Sequence, residues 1–167
     1  MKLFSSAIAI LSLILAPLLA HADSLNVSKV DDWSAEAAIA TKEDKPIMVV
    51  FSSESCNYCD KLNTQVLNPM LENGTLTNRV LLREFKIDRG GKVVDFDGDS
   101  VRSRIFVSRY HVYATPTVIL LDQHGVVLGD PIVGYNDVAA YQQLLNQSIL
   151  RARTAPNLPA GLHISKK

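Results

Sequence analysis

Apolar and polar positions change period several times along the chain, and each change marks an element. A near-continuous apolar run from Leu3 to Ala20 comes first, behind Lys2 and ahead of Ala20-His21-Ala22. Further on, Asp31-Asp32-Trp33-Ser34 leads into the Ala-rich stretch Ala35 to Ala40, which reads as a short helix capped by an Asp or Ser and ended before Lys45-Pro46. Ile47-Met48-Val49-Val50-Phe51 is unbroken apolar sequence bounded by Pro46 and Ser52-Ser53. It predicts a strand buried on both faces, as in the middle of a partly parallel sheet. From Cys56 to about Leu71, the residues Tyr58, Leu62, Val66 and Met70 recur every fourth position, the spacing of a helix. A strand running straight into a helix begins a crossover unit.

Asn73-Gly74 breaks the pattern, and Val80 to Asp88 supplies a second strand. Residues 89–100 are turn-rich and charged, with Val93-Val94 able to form a small hairpin, and read as a short surface insertion. Val101, Ile105, Phe106 and Tyr110 predict a helix from Val101 to Tyr113. Thr117 to Asp122 and Val126 to Leu128 flank Gln123-His124-Gly125 and predict a hairpin. Val138, Tyr141, Leu144, Leu145 and Ile149 supply an amphipathic closing helix. Pro156, Pro159 and Gly161 then interrupt a stretch with few large apolar residues, so residues 152–167 read as a mobile, solvated tail behind one domain over residues 23–151.

Composition sharpens this outline at the two ends. The first 22 of the 167 residues carry 16 apolar side chains, and the small-x-small triplet closing them matches a secretory cleavage site. Residues 1–22 are therefore read as a signal peptide, with a membrane anchor as the rival: the apolar run is near the lower limit for spanning a bilayer and is interrupted by Ser5, Ser6, Ser12 and Pro17. The rest of the chain has 16 basic and 17 acidic side chains, a near-neutral balance that argues against a nucleic-acid partner, which needs a dense basic patch. Its apolar content suits a globular domain of a size that buries a proper core, and excludes disorder, collagen and multi-span membrane architectures.

The only cysteines are Cys56 and Cys59, so no disulfide framework spans the chain. The pair lies where a buried strand turns into a helix. Cys56 falls in the first turn, where unpaired backbone N–H groups and the helix dipole favour a thiolate; Cys59 returns to the same side and can reach it. A purely structural disulfide closing so small a ring would contribute roughly 2 kcal/mol in the loop-entropy model, against about 3 for a 15-residue loop, which is a poor staple for a domain. Zinc would need two further ligands, and His111, His124 and His163 form no second pair. Asp60 instead of His after Cys59 argues against covalent haem. Asp95, Asp97 and Asp99 alternate as in a calcium loop, yet Gly98 falls one place early and Phe106 stands where the loop needs Glu, so a charged turn is expected and no metal site.

With strand, C-x-x-C helix, strand, helix and Ala114-Thr115-Pro116-Thr117 in order before the strand Val118 to Leu121, the chain resembles the thioredoxin-like superfamily over about residues 31–150, and with its leader resembles exported bacterial members. The resemblance implies an α/β thioredoxin fold, a central mixed β-sheet flanked by helices, and a cis proline at Pro116 lying against the cysteines. It implies a thiol–disulfide oxidoreductase without a cofactor, with Cys56 as attacking thiol and Cys59 as resolving thiol. The backbone of Thr115 beside Pro116 would present hydrogen bonds to an extended substrate. Tyr58 would either touch that substrate or pack as part of its four-residue ladder.

Two departures from the family stand out. Ser55 occupies the place where many members have Trp, and Val50 replaces the buried acid six residues before the first cysteine. Glu54 and Asp60 are then the candidate proton relays, or else simply solvated charges; as anions they oppose a thiolate at Cys56. The expectation is a monomeric periplasmic disulfide reductase acting on disulfide-bearing or dithiol proteins and resupplied by a membrane thiol–disulfide reductase. A disulfide oxidase or isomerase on the same fold, and a copper-binding or interaction module using the two thiols as ligands, stay open as alternatives.

Overall fold

The computed structural model describes residues 28–154. The signal peptide read at residues 1–22 and the tail from residue 155 onward lie outside the described residues. Strand β1 (Ser28–Lys29) is followed by α1 (Trp33–Glu43), whose N-cap Asp32 accepts a 3.0 Å hydrogen bond from Ala35 N–H. Then come β2 (Ile47–Ser52), α2 (Asn57–Leu62), a π-helical turn (Asn63–Leu67) and α3 (Asn68–Glu72). The remainder is β3 (Leu81–Lys86), β4 (Lys92–Val94), β5 (Ser100–Arg102), α4 (Ser103–Arg109), β6 (Thr117–Leu121), β7 (Ile132–Val133) and α5 (Val138–Thr154).

Five strands form one mixed sheet in the order β1-β3-β2-β6-β7. β2 runs parallel to β3 and antiparallel to β6, so it is covered on both edges as well as both faces, and every one of its six residues is buried. That is the physical meaning of its unbroken apolar run. Alternation along β2 divides the core. Met48 and Val50 join Leu62, Val66, Leu145 and Ile149 under α2 and α5, whereas Ile47, Val49 and Phe51 join Trp33, Phe85 and Phe106 under α1 and α4.

The helix read from Cys56 to Leu71 is continuous but widens in the middle, where Asn68 N–H reaches back to the carbonyl of Asn63. Pro69 explains the π turn. It has no N–H and its ring would crowd the carbonyl of Gln65 four residues back, and a wider turn carries the chain past that clash.

Several expectations need correction. Val101 belongs to β5, where it pairs with Val93, and the helix begins at Ser103. Val101, Ile105 and Phe106 imitate helical spacing, but Ile105 is 45% exposed while Phe106 and Tyr110 face the core. Nor is the insertion confined to the surface: Val93 and Asp95 are buried, Phe96 stacks on Trp33 at 5.6 Å between centroids, and Asp95 forms an ion pair with Arg109. Val126 to Leu128 is not a strand of the sheet. It does close the expected hairpin, with Asp122 N–H donating to the Val126 carbonyl at 2.9 Å and Leu128 N–H to the Leu120 carbonyl at 2.7 Å, but as an isolated bridge of Val127 to Leu121, and Ile132–Val133 provides the edge strand. The closing helix extends through Thr154, with Ala152 buried and Arg153 donating to the carbonyl of Arg79 at 3.2 Å, so residues 152–154 belong to the domain.

Candidate active site

The C-terminal end of β2 delivers the chain into a short polar turn, Ser53 to Ser55, and then into α2. Cys56 is the N-cap, with extended backbone (φ −114°, ψ 90°), so its carbonyl already accepts from the N–H groups of Cys59 and Asp60 at 2.9 and 3.1 Å. Its sulfur accepts from Cys59 N–H at 3.1 Å. The side chain thus takes the place of the Ser or Asp hydroxyl or carboxylate that usually caps a helix, and a sulfur there is aimed at the positive end of the dipole. Cys56 and Cys59 are joined in a disulfide with Cα atoms 5.2 Å apart. The two sulfurs are not equivalent: Cys56 is half-exposed, whereas Cys59 is only 3% exposed.

The Thr115–Pro116 peptide is cis. Pairing of Phe51 with Thr117 brings the segment before β6 beside the segment after β2. Ser53 and Thr115 hydroxyls lie 3.1 Å apart, Thr117 Oγ1 donates to the carbonyl of Ala114 at 2.8 Å, and Gly134 N–H donates to the carbonyl of Pro116 at 2.8 Å. The sheet therefore sets Thr115 and Pro116 beside the turn that leads from β2 into Cys56, although the two segments lie far apart in the chain. Pro116 is buried and Thr115 half-buried. Ser53 is a tie between the two loops that sequence reasoning missed; as one serine among several it carries no signal of its own.

Tyr58 is 58% exposed, with the ammonium of Lys61 5.6 Å from its ring centroid. Of its four-residue ladder, Leu62, Val66 and Met70 are buried and Tyr58 is not, so packing does not account for it. Tyr113, 84% exposed just before the cis-proline segment, was missed because it sits in the stretch read as helix.

The two candidate relays lie at the surface. Glu54 pairs with Lys86 at 2.8 Å, its backbone N–H donating to Asp88 Oδ2 at 2.8 Å, and its hydrogen bond holds the Lys86 ammonium above the ordinary lysine range. Asp60 is exposed in the first turn of α2. Val50 is buried where the family carries an acid. Beside it on β3, in register, is Glu84, which accepts a 2.7 Å hydrogen bond from the hydroxyl of Ser52, a residue only 2% exposed. Among the described residues no group of three or more His, Cys, Asp or Glu is placed to hold a metal ion.

The arrangement suits disulfide exchange. An exposed sulfur at a helix start can be attacked, or as a thiolate can attack, and a second sulfur behind it can close the ring. Comparison with known proteins agrees. A family model for the thioredoxin-like domain matches residues 33–149. No curated protein sequence matches the chain. Among solved structures, a thioredoxin from Thermus thermophilus is similar at 23% identity and TM-score 0.55, over 75% of this chain and 89% of that one. A candidate disulphide isomerase from Bacteroides thetaiotaomicron is similar at 18% identity and TM-score 0.59, over 78% and 97%. A poplar thioredoxin h is similar at 17% identity and TM-score 0.52, over 73% and 96%. At these identities the structures speak for the fold alone, and the family match together with the Cys56–Cys59 pair carries the chemistry. The chain belongs to the thioredoxin-like domain family, and its paired cysteines make it a thiol–disulfide oxidoreductase.

Proposed function

We propose that the protein is a periplasmic disulfide reductase acting on proteins. The observation that carries the mechanism is the asymmetry of the pair: a half-exposed Cys56 capping a helix and a buried Cys59 one turn behind it. In the reduced protein the Cys56 thiolate attacks one sulfur of a substrate disulfide. The substrate's S–S bond breaks, a Cys56–substrate bond forms, and the first product sulfur leaves as a thiolate that takes a proton. Cys59, deprotonated, then attacks the Cys56 sulfur; the Cys56–Cys59 bond forms and the second product sulfur leaves and is protonated. The dithiol loses two electrons and the substrate disulfide gains them.

The reducing direction is supported by the charge around Cys56. Asp60 stands in the first turn of α2, where an anion opposes a neighbouring thiolate, and a less stabilised thiolate makes a dithiol more reducing. Substrate would be held in extended form by the main chain at Thr115 next to Pro116, with Tyr58 at the rim. The apolar leader and its Ala-His-Ala triplet support export. A reductase in an oxidising compartment must be resupplied, so a membrane thiol–disulfide reductase is the proposed electron donor.

The test has two parts. Cys56→Ser is expected to abolish reduction of a protein disulfide, and a variant that still worked at the wild-type rate would overturn the mechanism. Equilibration of the Cys56/Cys59 pair against defined glutathione ratios is expected to place its potential near that of thioredoxin. A value near the periplasmic oxidants, roughly 150 mV higher, would make the protein an oxidase or isomerase instead.

A further inference from the structure

Resolution of the mixed disulfide requires Cys59 to lose a proton inside the protein, and Val50 cannot take it. The geometry points to Glu84 as the proton acceptor for Cys59: the acid missing from β2 is supplied by the neighbouring strand. This inference rests on the oxidoreductase reading of the site.

Among the described residues, Glu84 is the only acidic one in the five strands of the sheet. Paired residues of parallel strands project to the same face, so Met48 with Leu82, Val50 with Glu84 and Ser52 with Lys86 form successive rungs on one side. The first two rungs pack against Leu62 and Val66 through Met48, Leu82 and Val50. Cys59, Leu62 and Val66 are the buried face of the helix, spaced three and four residues apart. The helix leaves the end of β2, so Cys59, one turn nearer its start than Leu62, stands on the buried side of the helix toward the ends of β2 and β3, where Val50, Glu84 and Ser52 follow Met48 and Leu82. An acid on a hydrophobic face of a sheet is costly unless it is bonded, and Ser52, buried itself, donates to Oε1. A carboxylate has two oxygens, and Ser52 engages one of them.

Other charged residues neighbour this position in the fold. Lys29 is in register with Glu84 on β1. Lys86 lies two residues on along β3 and is engaged by Glu54, with Asp88 beyond it. On α2, Asp60 and Lys61 are exposed. Glu84 is half-buried on the sheet face that carries the cysteine helix, whereas Glu54 and Asp60 are exposed.

In the resolving step Cys59 S–H gives its proton to Glu84 Oε2 as the Cys59 sulfur attacks Cys56. The Cys56–Cys59 bond forms, the Cys56–substrate bond breaks, and the departing thiolate takes a proton from Glu84 or from water. Nothing beyond the dithiol and the substrate disulfide is consumed.

Glu84→Gln tests this, because glutamine keeps the shape and an acceptor for Ser52. With a chromogenic aryl thiol loaded on Cys56 as the mixed disulfide, release of that thiol by Cys59 is expected to slow at least tenfold near neutral pH. It should converge on the wild-type rate at alkaline pH, where hydroxide removes the proton. In a Cys56→Ala background, which performs no exchange, the Cys59 thiol is expected to titrate at lower pH once the Glu84 charge is gone. A Cys59 titration unmoved by Glu84→Gln overturns the assignment. A wild-type protein that fails to release the aryl thiol counts against the oxidoreductase reading alone, since the titration stands without turnover.

Discussion

Two buried polar atoms, Trp33 Nε1 and the Tyr141 hydroxyl, have no hydrogen-bond partner among the described residues. An unpaired buried hydroxyl has given up water for nothing, so removing it relieves a cost while the ring keeps its packing. Tyr141→Phe is expected to raise stability by about 1 kcal/mol, read as a higher urea midpoint at unchanged slope. Burial also pushes the Tyr141 and Tyr110 phenols above the ordinary tyrosine range. The neutral phenol is favoured in the folded state, so this contribution is fully present below about pH 10 and is lost as pH rises and the unfolded chain ionises. Urea midpoints measured from about pH 9 to about pH 11, across the ordinary tyrosine range, should therefore fall in the wild type and fall less steeply in Tyr141→Phe.

Elements far from the cysteines show how an apparent loop is held. The β4–β5 hairpin is fastened by Asp95 to Arg109, by Phe96 to Trp33, and by Val94 N–H to the carbonyl of Asp31 at 2.8 Å. Gly125, in the turn after β6, lies against it: a Cβ there would meet the Phe96 ring at 2.5 Å, and the backbone has φ +76°. Gly125→Ala combines a left-handed backbone with a collision. It is expected to cost about 2 kcal/mol and to leave disulfide exchange unchanged, as judged by urea melting and by reduction of a protein disulfide in the native range. On the other side of the sheet, Tyr135 donates to Gln65 at 2.6 Å, tying the segment after β7 to the π turn that Pro69 imposes on the cysteine helix.

At the scale of the molecule, stability and chemistry are divided by the sheet. Phe106 packs with Trp33, Phe85 and Tyr110 at centroid distances of 4.9, 5.2 and 5.2 Å on the face away from the cysteine helix. Phe106→Ala is expected to cost about 3 to 5 kcal/mol by urea denaturation while the folded fraction keeps its exchange rate. The Cys56–Cys59 bond, by contrast, closes a small ring and contributes only about 2 kcal/mol in the loop-entropy model. The reduced protein should therefore keep the amide-exchange protection of β2, β3 and β6. Loss of that protection on reduction would mean that the bond holds the fold together and does not serve as a working couple.

Strands and helices with strong apolar periodicity were legible in the chain itself. β2 was readable from its unbroken apolar run, the cysteine helix from its four-residue ladder, and the chemistry from two cysteines at a strand-to-helix junction followed by Thr115-Pro116. Local pattern misled where two elements share a spacing, as at Val101, or where backbone pairing forms without an apolar signature, as at Ser28–Lys29. It could not tell that a charged insertion docks through Phe96 and a buried Asp95. Nor could it choose among acids for Cys59, because Glu54 and Asp60 are neighbours in sequence whereas Glu84 is a neighbour only across the β2–β3 register. Periodicity reports which face of an element is buried; which residues of different elements share that buried face is set by strand order and register, and those exist only once the chain is packed.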